Sequence, residues 1–461
     1  LIFFVVAMVI LASVSLATRS TATVAPAPVA LGQIASTGAQ SSSFTCGGLG
    51  EGSGPGHGVI ILANGTQSPR IATVSLFDDG GHAGTFLVGV KSASTVVVDP
   101  GSLVTGGTWI AASIEISGGG VGVVEQLPRS NSAATPCVAA TSTSWGFVGG
   151  STQVDQTYDI SLVNPTATSA VVNTSFLTDG GEVAPQNAQG VVVTPHSVVV
   201  LSGLDLVPHS ADLGAIVTAS QGSIAAFATQ IVPSPNGASV TAGQPTLERD
   251  AVISRAVSSP STQAAIVIGN PTPEAQSVVI DLQLPSGAVS PQSQVIAPYS
   301  SYLDVTDPST RVPQGIVYSA SIHTTGPGVT VSLSTQVSGG SPGSWGNVVA
   351  SSQASMASMR WLLVGGLGTA PLGASFTNLS DHAVTIHVAA VTPTLDQAVG
   401  GVDGVTIPVN GSLGLPTQVL ALMASHSLEI TSSAPLAISE DLPGGAAPSV
   451  GNLLALPQIG S

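Results

Sequence analysis

Residues 158–201 read YDISLVNPTATSAVVNTSFLTDGGEVAPQNAQGVVVTPHSVVVL, and this stretch decides the fold. Its Val- and Ile-rich runs, Tyr158 to Val163, Ala170 to Leu177, Gly190 to Thr194 and Val198 to Leu201, are short, β-branched and bounded by turn formers. Asn164-Pro165-Thr166 and Pro195-His196-Ser197 punctuate them, and Asp179-Gly180-Gly181 reads as a hairpin turn. Working outward, Trp145 to Val148 precedes the stretch, and Leu213 to Ser220 and Ser223 to Ile231 follow it. Seven such runs within about 100 residues match the size and rhythm of an immunoglobulin-like sandwich.

The same pattern recurs along the chain. An apolar run ends in an Asn-containing turn at Asn64, Asn164, Asn270 and Asn378, spaced by 100, 106 and 108 residues. A second landmark follows each: Pro100-Gly101-Ser102, Pro195-His196-Ser197, Pro298-Tyr299-Ser300 and Pro408 to Ser412. Asp79-Gly80-Gly81 repeats the hairpin turn in the first copy. A β-propeller is the rival all-β arrangement, but its blades run about 40–50 residues, under half this period. The reading is therefore all-β: four tandem immunoglobulin-like β-sandwich modules at 42–138, 139–246, 247–352 and 353–461. They follow a segment at 1–17 and a linker at 18–41. The Ser-, Ala-, Pro- and Gly-rich segments Pro128 to Ser144, Pro233 to Asp250 and Ser338 to Ser358 read as linkers or pole-crossing loops.

Composition bounds the function. With 54 Gly and 32 Pro in 461 residues and 7% charged residues, helical bundles and coiled coils are excluded. The formal charge is −16, Lys91 is the only lysine, and no basic cluster exists to hold a phosphate backbone, so nucleic acid is not an expected partner. Leu1 to Ala17 is uncharged and apolar, with Ser15 and Ala17 at cleavage-type positions. It reads as an export signal or short N-terminal anchor, the only expected membrane contact. No later apolar run reaches the ~18–20 residues of a spanning helix. Four Trp and four Tyr are too few for the aromatic girdles of a bacterial outer-membrane barrel. In an exported chain, Cys46 and Cys137 favour a disulfide, and they make neither a C-x-x-C motif nor a zinc site.

Catalytic patterns are weak. Gly339-Gly340-Ser341-Pro342-Gly343 has the spacing of a nucleophile elbow, but Pro342 has no N–H for an oxyanion and no helix pattern follows. His382 and His387 would face opposite sides of a strand. Glu248 and Asp250 have the best spacing for paired carboxylates, yet lie beside Arg249 in an expected linker. No catalytic residue, metal ligand or cofactor is assigned. The sequons at Asn64 and Asn378 are read as turn formers whose side chains bond the local backbone. Trp145 and Trp361 open equivalent copies and read as core plugs. Trp345, in a Gly- and Ser-rich stretch, is the leading ligand-contact candidate, followed by Tyr299 and Tyr302.

Trp145-Gly146-Phe147 after Cys137, Leu162-Val163-Asn164-Pro165, the Val191 to Ser197 run and Gly222-Ser223-Ile224-Ala225 resemble an uncharacterised actinobacterial exported family, the domain of unknown function 5719. Phe44-Thr45-Cys46 resembles the opening of its first module, whereas the third copy departs by lacking a Trp where Trp145 and Trp361 stand. The resemblance implies export, envelope association and an all-β repeat fold, and carries over no catalytic residues. The expected function is an exported, non-enzymatic cell-envelope protein acting as a structural or protein-interaction scaffold. The expected partner is an envelope protein or wall polymer. Cell-wall or carbohydrate binding is the alternative, and an enzyme with a site at a module interface is the rival from another class.

Overall fold

The structure is a computed structural model and describes residues 33–50, 57–104, 109–127, 133–232, 237–258, 262–284, 287–305, 311–338, 345–353, 357–441 and 455–458. The apolar segment at 1–17 and the Gly339–Gly343 elbow motif lie outside these residues. Within them the chain is all-β, with helix confined to short pieces such as Gly203–Leu206 and Thr417–Leu422.

The first repeat shows the plan. One sheet runs Ser41–Cys46, Ala111–Ser117, Arg70–Asp78, Gly81–Val90; the other runs Thr95–Val98, Val59–Asn64, Val121–Leu127, Ala133–Pro136. Period-two alternation directs Ala72, Val74 and Leu76 inward, where they meet Ile60, Leu62, Val121 and Val123 from the facing sheet. In the second repeat every expected run forms a strand: Ser144–Gly150, Thr157–Asn164, Ala170–Thr178, Val191–Val193, Ser197–Ser202, Leu213–Gln221 and Ala225–Val232. Asp79-Gly80 and Asp179-Gly180 turn hairpins as expected, with Asp78 opposite Gly81 and Thr178 opposite Gly181. Trp145 and Trp361 are fully buried core residues.

The expected linkers are a correction. Each contains a strand that extends its own repeat's second sheet: Ala133–Pro136 pairs with Val121–Leu127, Gly237–Ala242 with Ala225–Val232, and Trp345–Gln353 with Thr330–Ser338. Composition misleads here because alternating small residues suffice at a crowded centre. Ala133, Ala238 and Val240 pack with Leu127 in one cluster, where larger side chains have no space. The disulfide Cys46–Cys137 forms, with Cα atoms 4.7 Å apart, and ties the first strand to this returning segment. Thr45 and Val138 bridge beside it.

The repeats interlock head to tail and close. In each, a carbonyl within or just after the first strand accepts a hydroxyl hydrogen bond from the next repeat. Gly47 O accepts from Ser161 Oγ at 2.7 Å, and Val148 O from Ser332 Oγ at 2.9 Å. Ser254 O accepts from Ser375 Oγ and Thr377 Oγ1 at 3.3 and 3.1 Å. The circle closes where Thr95 Oγ1 of the first repeat donates to Gly365 O of the fourth at 2.6 Å. Ile34 and Leu456, from the two ends of the described chain, are buried at that closure with Ile61, Val124, Leu362 and Val364. A rotation that closes makes a finite ring instead of an open filament.

Candidate functional site

Each repeat is pinned by the Asn that ends its second strand. Asn270, fully buried, donates from Nδ2 to Glu274 O at 2.7 Å, Ile296 O at 3.2 Å and Ala297 O at 2.9 Å. Its Oδ1 accepts from Thr272 N and Thr272 Oγ1 at 3.0 and 2.6 Å. Asn64, Asn164 and Asn378 repeat this arrangement, each with its Oδ1 on the N–H and hydroxyl of the residue two places on. The sequence expectation of an Asn bonding its local backbone is met, and the same side chain also ties in a strand far along the chain.

Opposite each Asn a corner carries a non-glycine residue in the left-handed region: Ala93 at φ 49, His196 at 52, Tyr299 at 49 and Asn410 at 53. In the first repeat this is a correction, because the corner falls at Ala93, where Ala93 N donates to Thr66 O, and the expected Pro100-Gly101-Ser102 is a 3-10 turn further on. These corners point at ring junctions in the first two repeats. His196 packs tilted against Phe77 of the preceding repeat with ring centroids 5.6 Å apart, and Ala93 packs on the closure cluster containing Val391. A Cβ in this conformation is strained. Ala93→Gly is therefore expected to stabilise the protein by about 0.5–1 kcal/mol, read as a higher denaturant midpoint.

Tyr299 occupies such a corner and is half-buried. Tyr302 stands apart from it, on strand Ser300–Val305, where its position opposite Ile268 turns the ring toward the gap between the two sheets. There the third repeat assembles a polar cluster. Gln292 Nε2 donates to the Tyr302 hydroxyl at 3.2 Å and to Asp304 Oδ1 at 3.4 Å, and Arg311 Nη1 donates to Asp304 Oδ2 at 3.0 Å. Arg311 Nη2 has no partner among the described residues. Burial, with the Asp304 carboxylate next, raises the Tyr302 phenol and keeps it a neutral donor. An aromatic ring, a carboxylate, an amide and a guanidinium converge here, the donor and acceptor set that a hydroxyl-rich ligand needs. Sequence reading found Tyr302 and missed Gln292, Asp304 and Arg311, which are spread over 20 residues with no spacing motif. The backbone of Trp345 opens strand Trp345–Gln353, and its ring lies outside the described side chains.

The histidines and paired carboxylates do not converge. His382 Nδ1 meets Asp381 and His387 Nδ1 meets Asp403, at 2.9 and 3.2 Å. Asp250 opens a strand and pairs with His323, while burial raises Glu248. Sequence reading also missed Glu125. Its carboxylate is 1% exposed and accepts from Gly48 N at 3.1 and 3.0 Å, and burial pushes it up to about 8. Its ligand atoms and those of Cys46 and Cys137 lie within 4.8 Å of one another, but the sulfurs are joined in the disulfide. A signal was present, since Val121, Val123, Glu125 and Leu127 share one strand parity and an acid on that apolar face needs an explanation.

Together these features define an all-β protein of several sheets in which a buried Asn corner recurs four times and the segments around it interlock. The chain belongs to the Family of unknown function (DUF5719), whose model matches residues 129–392, more than half of its length. No curated protein matches it in sequence. Among solved structures, a Thermotoga maritima protein, 1070, is similar at 17% identity over 23% of this chain and 91% of its own, with a TM-score of 0.20. The Anabaena sensory rhodopsin transducer is similar at 16% identity over 18% of this chain and 80% of its own, with a TM-score of 0.17.

Proposed function

We propose that this protein is an exported, non-enzymatic scaffold of the cell envelope. Four immunoglobulin-like sandwiches form one ring that presents its outer loops and sheet edges to an envelope protein. The observation that carries this reading is the cyclic interlock, in which the hydroxyls and amides at the repeat junctions serve to hold the ring closed. A rigid closed ring is suited to display, because a surface held in place loses little entropy when a partner docks. The Cys46–Cys137 disulfide fits an oxidising compartment, as does the apolar segment at Leu1 to Ala17. The test is made in intact cells, combining thiol labelling, protease added from outside and cross-linking. The expected result is unreactive, oxidised cysteines, cleavage by the external protease and a specific cross-link to one envelope protein. Reactive thiols together with full protection from protease would sink the reading.

The third-repeat cluster favours a second reading, recognition of a wall polymer or another carbohydrate at Gln292, Tyr302, Asp304 and Arg311. That reading expects saturable co-sedimentation with isolated cell-wall polymer. Arg311→Ala would weaken it by about tenfold, the loss of one charge-assisted hydrogen bond. Trp345→Ala separates the two candidate contact sites. Co-sedimentation unchanged by Arg311→Ala removes the cluster from consideration.

A further inference from the structure

We propose that, before the disulfide closes, Cys46, Cys137 and Glu125 hold a zinc ion between the two sheets of the first repeat, and that oxidation to the disulfide expels it. This concerns the chain ahead of the display function and is independent of it. Three segments build the set. Thr45 and Val138 exchange backbone hydrogen bonds at 2.8 and 2.9 Å, so the next pair along, Cys46 and Cys137, is of the close, non-hydrogen-bonded kind, with Cα atoms 4.7 Å apart. Cys137 N donates to Val123 O at 3.0 Å, which lays it against strand Val121–Leu127, and Glu125 follows Val123 on the same face. One ligand atom from each of the three lies within 4.8 Å of the others, and all three residues are buried. Spacing along the chain hides this set, because residues 46, 125 and 137 meet only across two sheets.

Donor chemistry and distance select the ion. Two thiolates on a tetrahedral zinc stand about 3.8 Å apart, and a thiolate and a carboxylate oxygen about 3.5 Å, from bond lengths of ~2.3 and ~2.0 Å. Both separations fit inside the 4.8 Å, so side-chain rotations make the site without moving a strand. Calcium and magnesium take oxygen ligands, whereas thiolates favour zinc. Three protein ligands leave the fourth position to water. The carboxylate is already aimed, because Gly48 N reaches its two oxygens at 3.1 and 3.0 Å and leaves other lone pairs for a metal. Only Gly fits there, since a Cβ on Gly48 would lie 2.9 Å from Glu125 Oε1 and 2.2 Å from Val240 Cγ2.

The sister repeats fill these positions without a ligand set. The bridge Gly146–Gln244 matches Thr45–Val138, and Gly243 N donates to Ala226 O as Cys137 N does to Val123 O. The second repeat therefore has Phe147, Gly243 and Ala228 where the first has Cys46, Cys137 and Glu125, and the Phe147 ring takes the space, 2.7 Å from where a Cβ on Gly243 would lie. The fourth keeps an acid, Glu440 opposite Ala374 as Glu125 is opposite Ile60, but the chain has no further cysteine to join it.

Oxidation by a disulfide-type oxidant forms the Cys46–Cys137 bond, breaks the oxidant's own S–S bond to two thiols and breaks both Zn–S bonds. The two electrons pass to the oxidant, three solvent protons go to its two sulfurs and to Glu125, and Zn²⁺ leaves as the hydrated ion.

For the test, the full chain is reduced in denaturant and refolded without oxygen, with zinc alone as the probe. The expected result is one Zn²⁺ per reduced chain, none on the oxidised chain, and a higher denaturant midpoint for the zinc-loaded reduced chain than for the zinc-free one. Glu125→Gln keeps both thiols and an acceptor for Gly48, and is expected to bind zinc about a hundredfold more weakly; Cys46→Ser combined with Cys137→Ser is expected to bind none. Circular dichroism reports the fold of each. A reduced chain that takes up no zinc, a Glu125→Gln chain that holds it as tightly as the parent, or zinc bound equally by the oxidised chain each overturns the proposal. A reduced chain that unfolds and that zinc does not refold overturns it as well. None of these outcomes bears on the envelope cross-link of the display reading, so the two can fail separately.

Discussion

Asn270→Ala is expected to destabilise the third repeat by about 2–4 kcal/mol, because it removes five hydrogen bonds at once, those to Ile296 O and from Thr272 in buried surroundings. Glu274, Ile296 and Ala297 lose a donor to their carbonyls, and Thr272 loses the acceptor of both its N–H and its hydroxyl. Water reaches the carbonyls of Glu274 and Ala297, which are exposed residues, so most of the cost falls on Ile296 O and Thr272. The measurement is hydrogen exchange resolved along the chain. Protection should collapse first in Thr262–Asn270 and Ser300–Val305, which the Asn joins, and least in the opposite first repeat. Thr272→Val, which removes only the hydroxyl, should cost about 1 kcal/mol. An Asn270→Ala protein with unchanged protection would show that strand pairing alone holds the corner.

The second large effect concerns Glu125 and pH. Burial at the first junction pushes the carboxyl from the ordinary 4.5 up to about 8, because it disfavours the carboxylate more than the Gly48 and Gly47 N–H groups stabilise it. The folded protein therefore binds this proton more tightly than the unfolded chain does. Its contribution is fully present below pH 4.5, declines by about 1.36 kcal/mol per pH unit above that, and is gone above pH 8. Glu125→Gln keeps the shape and an acceptor for Gly48 without the charge, so it is expected to stabilise the protein at pH 8 on the order of 4 kcal/mol and hardly at all at pH 4. Denaturant midpoints of both proteins from pH 4 to 9 check this, and parallel curves would refute it. A residual slope in the variant is expected from Asp212, which burial pushes up to about 6, and from Glu248, raised in the same direction.

Much of the repeat was legible in the sequence. Short β-branched runs, the Asp-Gly-Gly hairpins, the recurring Asn, the two core tryptophans and the Cys46–Cys137 pair follow from local chemistry and spacing, so they survive without knowledge of the neighbours. The segments taken as linkers were not legible in this way. Gly237–Ala242 is built of Gly, Ala, Ser, Val and Thr, a composition shared by loops and by strands packed at a crowded centre. Ala225–Val232 on one side and Leu127 and Ala133 on another decide in favour of a strand. The third-repeat cluster had the same difficulty, since Gln292, Tyr302, Asp304 and Arg311 meet only because two sheets face each other across a gap.

By itself the sequence determined that this protein is all-β and that a turn-forming Asn recurs four times, while its burial came from the structure. Period, turn chemistry and propensity act over a few residues and are written in order along the chain. Only the tertiary structure decided that the repeats close into a ring and that Glu125 is buried at its first junction. Both depend on which distant groups share a neighbourhood, where the cost of an unpaired carbonyl or a desolvated carboxylate is set by contacts the local sequence does not encode.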